Sequence, residues 1–537
     1  MNDNNRMFEP RTIIALAIAF AGIFGWQYYL NKKYPQPVAT ATASTPTEAS
    51  ALTGSQAQQE LKKESAPTVS KSEANAELKQ TNVKEEKFFE VKTENYTLAI
   101  SSHGMGFKNV VLNKYTDRLG QKVVLGDSSN QGLFSSRLTG SASSFDFDIE
   151  KINEFEYKGF YKNGDLEITR TLKFDKENYS VQALTTVKKP TEDFKNGFEF
   201  VVNDKIVKPQ SNHFLFPSYD HQDYIVKHQG KAETINYSMA KEDLSRSFSG
   251  ANLFSFGSQY FTGAIVDKSD LIPEVFVSAK VAEGKAFGGL RYLPTQLNDE
   301  IKIDQIFYFG PKKVEPLRAV DADLVETLNY GMFSVIAHPM LSLMKFFFNF
   351  TGNWGLAIIL LTLIVRFIVL PFNLFSFKSM KAMQKIQPLL KDLREKYKND
   401  PMALNRETMA LMKQHNANPL SGCLPMLLQI PIFFALYRVI ASSVEIYQQP
   451  FIGWITDLSL HDKFFVLPIL MGVTMYVQQK ITPSTMDPAQ AKVMAFMPIL
   501  FTGLMIYLPS GLTLYMFVSS LFGIIQQYYF MKEKKTA

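Results

Sequence analysis

The sequence predicts a polytopic α-helical membrane protein: six transmembrane helices, a large exported β-sandwich between the first and second, and a cytoplasmic helical hairpin. Three observations predict it. Uncharged or nearly uncharged apolar runs, of a length that suits a hydrocarbon core roughly 30 Å thick, occur once near the N-terminus and five times after residue 350. Lys and Arg crowd into particular connections between those runs, and this orients them. The long stretch between the first two runs alternates apolar and polar residues in short strings broken by Gly, Asn and Asp, which is the pattern of antiparallel strands.

Composition is consistent with this class. The 537 residues carry 57 Lys and Arg against 51 Asp and Glu, and a net charge of +6 is too mild for a general nucleic-acid binder. There are 44 Phe and 21 Met, as expected where lipid or a long apolar groove is the solvent. The single cysteine, Cys423, excludes an internal disulfide framework, a CxxC pair and a Cys-based zinc site, and it lies too far along the chain to carry a lipoprotein anchor.

The elements follow in order. Residues 1–31 form an N-terminal anchor around the apolar run Thr12–Leu30, flanked by Arg6, Arg11, Lys32 and Lys33. Ala19-Phe20-Ala21 resembles a signal-peptidase site, but cleavage there would leave a short apolar core, and Trp26, Tyr28 and Tyr29 form an interfacial belt beyond it; an uncleaved anchor is the reading taken. Residues 32–83 are rich in Ala, Thr, Ser, Gln and Lys, cannot bury enough apolar surface to offset ordering entropy, and read as a flexible linker. Residues 84–322 are the β-domain, with strands expected at Tyr96–Ile100, Leu166–Phe174, Tyr179–Val187 and Ile301–Phe309. His213, His221 and His228 are the one potential metal cluster in that block, but their spacing matches no standard ligand motif and they read as surface or loop histidines.

Residues 323–537 hold the remaining spans, at about 353–375, 423–443, 464–479, 493–508 and 512–530. The stretch 376–419 carries nine Lys and Arg, a surplus of five over its acids, and is therefore cytoplasmic; Lys532, Lys534 and Lys535 agree, while the loop Glu445–Asp462 has no Lys or Arg and lies outside. Counting spans then places both termini in the cytoplasm and the β-domain outside. The loop 376–419 reads as a hairpin: Met380, Met383, Ile386, Leu390, Leu393 and Tyr397 recur at helical spacing, Asn399-Asp400-Pro401 turns the chain, and Met402, Met409 and Met412 continue on the return arm. Its Met residues either form the hairpin's own seam or dock varied apolar segments, and its charge suits phospholipid headgroups or ribosomal RNA.

The candidate site centres on Arg366. An arginine near the middle of a span costs about 2.5–3.5 kcal/mol on insertion scales, and the five C-terminal spans contain no Asp or Glu to pair with it. Arg366 is therefore expected to face water inside the bundle and to meet a counter-charge that arrives from elsewhere. Thr362, Gln429, Thr502, Tyr515, Ser519 and Ser520 are the polar residues that could line the same cavity. Arg438 sits near the outer end of its span, where it can snorkel or reach Glu445. The fourth and fifth spans are short, which favours local thinning of the bilayer.

Several ordered motifs carry a resemblance. Gly422-Cys423-Leu424-Pro425, Gln429-Ile430-Pro431-Ile432-Phe433, Ala435-Leu436-Tyr437, Leu467-Pro468-Ile469-Leu470-Met471-Gly472, Phe496-Met497-Pro498 and Leu508-Pro509-Ser510-Gly511-Leu512 followed by Leu514-Tyr515 resemble the YidC, Oxa and Alb family of membrane protein insertases. The resemblance runs over essentially the whole chain, and the anchor and β-domain are similar to the Gram-negative form. It implies a periplasmic β-supersandwich like that of sugar mutarotases but without sugar chemistry, and an amphipathic helix at about Phe333–Phe350 on the outer membrane face. It also implies a groove open to cytoplasm and lipid, with Arg366 as its arginine and Thr362, Gln429 and Tyr515 facing it. The chain would then have no catalytic residue, cofactor, metal or small-molecule substrate. Its partners would be nascent inner-membrane proteins, membrane lipids, the Sec translocon and the ribosome. Two departures stand out: only seven residues follow Phe530, shorter than a basic ribosome-binding extension, and Arg438 occupies a position expected to be uncharged. A small-solute or ion transporter with Arg366 as its anion site and a tethered sugar-modifying enzyme are the alternative functions. The first would require an inverted repeat and the second a convergent acid–base set, and the sequence displays neither.

Overall fold

Residues 85–531, apart from 130, 142, 209–220, 295–297, 329, 331–332, 416, 418–423 and 483–487, are described by a computed structural model and belong to one compact unit. The anchor, the linker, His213, Cys423 and the tail lysines lie outside the described residues.

Alternation dictates the exported block. Along Glu300–Pro311 the buried positions begin Ile301, Ile303 and Gln305, with charged residues between them, and Leu166–Phe174 alternates in the same way. The strands in chain order are β1 (Phe88–Lys92), β2 (Tyr96–Ser101), β3 (Phe107–Thr116), β4 (Lys122–Leu125), β5 (Ser135–Leu138), β6 (Asp148–Asn153), β7 (Glu156–Asn163), β8 (Leu166–Phe174), β9 (Ser180–Lys188), β10 (Phe198–Lys205), β11 (Gln222–His228), β12 (Lys231–Asn236), β13 (Leu244–Ser249), β14 (Ala251–Ser258), β15 (Phe261–Asp267), β16 (Glu274–Lys280), β17 (Lys285–Tyr292) and β18 (Glu300–Pro311). They form three sheets, of four strands (β1-β2-β3-β4), five (β13-β16-β17-β10-β5) and nine (β12-β11-β14-β15-β18-β9-β8-β7-β6). Every pairing among them is antiparallel; β8 and β9, for example, run from Glu167 opposite Lys188 to Phe174 opposite Val181.

The five- and nine-stranded sheets face each other across one aromatic core. Gly288 on β17 leaves room for Phe254 of β14, since a Cβ there would stand 2.7 Å from that ring. Tyr292 on β17 donates to Asp267 on β15 at 2.6 Å and accepts from Gln305 on β18 at 2.9 Å. Arg170 is wholly buried between the layers. It donates to the carbonyls of Gly104 (2.9 Å) and Phe134 (3.4 Å) and lies 4.7 Å from the Phe200 ring, and burial lowers its pKa to about 9. Glu199 is held between Arg137 (2.8 Å) and Arg291 (3.1 Å).

The helices are α1 (Val314–Val320), α2 (Ser334–Thr351), α3 (Trp354–Lys396), α4 (Pro401–Gln414), α5 (Leu424–Ser442), α6 (Val466–Ile481), α7 (Pro488–Met505) and α8 (Ser510–Met531). In α2, Ala337, Met340, Leu341 and Met344 are buried at helical spacing, as one face of an amphipathic helix requires. Sequence reading ends a span near residue 375 and starts a separate hairpin arm; instead α3 is one helix of 43 residues that continues through Pro371 and Pro388. It is long and apolar enough to cross a membrane, and Leu427–Ser442 and Ala495–Met505 are shorter apolar helical stretches. Asp400 caps α4 by accepting from the amides of Met402 and Ala403. The return arm packs Leu411 and Met412 against Met383, Ile386 and Leu390, while Met402 (84% exposed) and Met409 (73%) point away from that seam.

The β-domain is docked to the helical region, not merely strung from it. Val444 and Tyr447, just past α5, belong to the β-domain core. Tyr447 donates its hydroxyl to the Thr116 carbonyl at 3.2 Å, Gln448 donates to the Asp117 carbonyl at 2.8 Å, and Gln259 donates to the carbonyl of Ala441. Lys345 ties α2 to both Glu315 (2.8 Å) and Glu445 (2.7 Å). Among the described residues Glu445 pairs with Lys345, and no ion pair joins it to Arg438.

Candidate functional site

The N-terminus of α3 is set by Asn353, which accepts from the amide of Leu356 (3.1 Å) and donates to the carbonyl of Phe451 (3.0 Å). From that anchor the helix turns one stripe toward its neighbours: Ile358, Thr362, Val369 and Asn373 are buried, and Arg366 lies on the same stripe. At 1.5 Å per residue Arg366 is roughly 18 Å along the helix. Its Nε donates to Ser519 Oγ on α8 at 2.8 Å, and one terminal nitrogen reaches the same hydroxyl. Among the described residues no carboxylate lies within ion-pair distance of it, so a half-buried cation is satisfied by one neutral hydroxyl. One turn from Ser519, Tyr515 is 1% exposed, and its hydroxyl accepts from Gln429 of α5 at 2.6 Å.

These contacts bring four of the seven expected residues into one patch: Arg366, Ser519, Tyr515 and Gln429. Ser520 is buried on the adjoining position of α8. Thr362 and Thr502 are different. Thr362 is fully buried and donates to the carbonyl of Ile358 at 2.6 Å; Thr502 donates to the carbonyl of Pro498 at 2.7 Å and packs against Gly472. Both hydroxyls are spent on their own helices, the familiar habit of Ser and Thr in apolar surroundings.

Sequence reading misses a second polar layer. Asn373 donates to Gln526 at 3.4 Å, and Gln527 donates to Thr482 at 2.8 Å. An Asn and two Gln inside otherwise apolar spans are the available signal. Asn373 Oδ1 and Gln526 Nε2 are buried without a partner among the described residues. The register of these pairs is informative. Arg366–Ser519 and Asn373–Gln526 are each separated by 153 residues, so α3 and α8 run parallel. Gln527 meets Thr482, and Gly523 abuts Gln478, both separated by 45 residues, so α6 runs parallel to them as well.

In the β-domain, His221 Nε2 lies 3.0 Å from Asp223, and His228 lies 3.8 Å from Glu233 with its ring against Phe248. Among the described residues no group of three His, Cys, Asp or Glu could hold a metal ion.

The fold joins a helical region, one of whose helices is long and apolar enough to cross a membrane, to a large β-rich domain, and both parts match families of the bacterial inner membrane and its periplasmic side. Residues 89–343 match the family model described as the YidC periplasmic domain, and residues 346–537 match that of the 60Kd inner membrane protein. The membrane protein insertase YidC of Geobacter metallireducens is 33% identical over 98% of both chains. That of Geotalea daltonii is 43% identical over a stretch that covers 52% of this chain and about half, 53%, of the relative. A solved structure of an active YidC insertase with its first transmembrane domain resolved is 20% identical, covers 82% of this chain and 92% of its own, and superposes with a TM-score of 0.38. The chain belongs to the YidC family of membrane protein insertases, a family of insertases and not of enzymes.

Proposed function

We propose that this chain inserts and helps to fold inner-membrane proteins, alone or beside the Sec translocon, by holding hydrophilic substrate segments at Arg366. The observation that carries the reading is an intramembrane guanidinium bonded to the hydroxyl of Ser519 and to no carboxylate among the described residues. Such a cation attracts an acidic or polar tail in transit. Tyr515, Gln429, Ser519 and Ser520 would flank the tail, while Thr362 and Thr502 shape the wall through packing. The substrate's apolar helix then leaves for lipid along α3 and α6, driven by hydrophobic transfer, with no nucleotide or cofactor consumed.

The membrane reading is of six spans with both termini cytoplasmic. The parallel course of α3, α6 and α8 supports it, because each would cross outward to inward and deliver the basic α3–α4 extension to the side where α8 ends. That basic extension suits contact with the ribosome and with lipid headgroups. Depletion of the protein in its native cell tests the function. Translocated segments of newly made inner-membrane proteins should lose their accessibility to external protease. Unaltered insertion of all of them would refute the proposal.

A further inference from the structure

A second polar site lies away from Arg366, where the β-domain meets the helices. It is a cavity of about 340 Å³, far more than one water or ion needs. Lys312, immediately after β18, lines it. The Lys312 amide donates to the carbonyl of Tyr260 at 2.8 Å, which fixes the backbone, and the side chain is only 5% exposed. Among the described residues no carboxylate lies within ion-pair distance of its ammonium, and burial holds its pKa below the ordinary lysine range. The acid nearest in charge terms, Asp223, meets His221 at 3.0 Å through Oδ2, while its Oδ1 is buried without a hydrogen-bond partner among the described residues. Arg438, near the end of α5, supplies a second cation to the same cavity, and Glu445, its nearest acid in sequence, is held by Lys345. Leu328 and Tyr330, just before α2, close one side with apolar surface.

Among the described residues that line it, two cations without ion-pair partners, Lys312 and Arg438, stand against one carboxylate, Asp223, a surplus of positive charge. A buried ammonium without a counter-ion is costly, and an incoming anion recovers that cost. Arg offers a planar fork and Lys a point charge, a combination suited to phosphate oxygens. We propose that this cavity binds a phosphate group, presented as a phospholipid headgroup or as free phosphate. The volume, which exceeds that of a bare ion, and the apolar side at Leu328 and Tyr330 favour a headgroup with its glycerol ester. The lipid source rests on the membrane reading above, since Arg438 and Ser442 then lie at the outer interface; phosphate binding as such does not.

The test is a thermal-shift titration of the full-length protein, delipidated in dodecyl maltoside, with dihexanoyl phosphatidylglycerol, dihexanoylglycerol and inorganic phosphate as separate probes. Phosphatidylglycerol should raise the melting temperature by mass action, and dihexanoylglycerol should not. Arg438→Gln, at an exposed position that does not threaten folding, should weaken binding about tenfold, as loss of a charge-assisted contact implies. Lys312→Met should abolish it, whereas Lys231→Gln with Lys241→Gln, which removes as much charge from exposed positions, should leave it intact. A shift with inorganic phosphate as large as that with the lipid would assign the site to the free ion. Equal shifts in wild type and Arg438→Gln, an equal shift with dihexanoylglycerol, or no shift with either phosphate probe would overturn the proposal. Because the titration involves no substrate, its failure would leave the insertase reading untouched, and a failed insertion assay would leave this site untouched.

Discussion

Replacing Arg366 with methionine should make the protein more stable and less active. A centred arginine costs about 2.5–3.5 kcal/mol to place in a membrane helix. What it recovers here is a hydrogen-bonded contact with Ser519, worth about 1.5–3 kcal/mol for a charged donor, and no ion pair among the described residues. The balance is unfavourable by about 1 kcal/mol. A methionine side chain would fill a similar volume, and the Ser519 hydroxyl could turn back to a carbonyl of its own helix. Removing the cation should thus raise the melting temperature by roughly 1 °C, since a unit of about 450 residues unfolds with an entropy of about 2.1 cal/mol/K per residue. Tryptophan fluorescence of the purified protein in micelles reads this directly, since Trp354 is buried and stacked on Phe348 at 4.4 Å within the helical core. Insertion should fall in the same variant, the pattern of a residue kept for function against stability. A loss of about 3 kcal/mol or more, the usual result of breaking a buried ionic contact, would refute the reasoning and make Arg366 structural.

Two further outcomes are expected. With Cys423→Ser as background, a cysteine replacing Lys398 should react with an impermeant maleimide only after the cytoplasm is opened; labelling from outside intact cells would invert the topology. Asp204 is buried, accepts from Tyr237 (2.5 Å) and Gln222 (3.2 Å), and burial pushes its pKa up to about 6. Because the folded value lies above the unfolded one, ionisation destabilises the native state progressively from about pH 4 to about pH 6 and by a constant amount above. Asp204→Asn should therefore match wild type near pH 4 in melting temperature and exceed it increasingly up to pH 6, by the equivalent of roughly 2–3 kcal/mol. A gap already present at pH 4, or one that widens only above pH 7, would count against this assignment.

The strands are legible because a period of two is a local property: Leu166–Phe174 and Ile301–Phe309 announce themselves without knowledge of their partners. Sheet order is not legible, since β9 pairs with both its neighbour β8 and the distant β18. Arg366 stands out because its cost in lipid follows from one residue and its depth. Its contact with Ser519 cannot be singled out from six polar candidates, because helix–helix register is set by packing. Thr362 and Thr502 mislead for a related reason: composition does not tell a lining hydroxyl from one bonded to its own helix. The run 376–396 reads as a separate arm because its charge changes at residue 378, but a change of charge does not end a helix, and α3 continues through it, Pro388 included. The junction is the least visible. Gln259, Tyr447 and Gln448 are ordinary in sequence and acquire their partners across the junction only when the β-domain docks, and Lys312 gives no sign in sequence that it lines a cavity there.

The most direct test is insertion into proteoliposomes containing the full-length protein, with Arg366→Lys, Arg366→Ala and Arg366→Glu compared at equal density. Two substrates differ only in whether the translocated tail is acidic or uncharged, and protease protection of the tail is the measurement. Capture by positive charge predicts that Lys retains most insertion of the acidic tail, Ala loses much of it and Glu loses most, while the uncharged tail changes far less. If Lys failed as completely as Glu, or if both tails suffered equally, the charge of Arg366 would not be what receives the substrate.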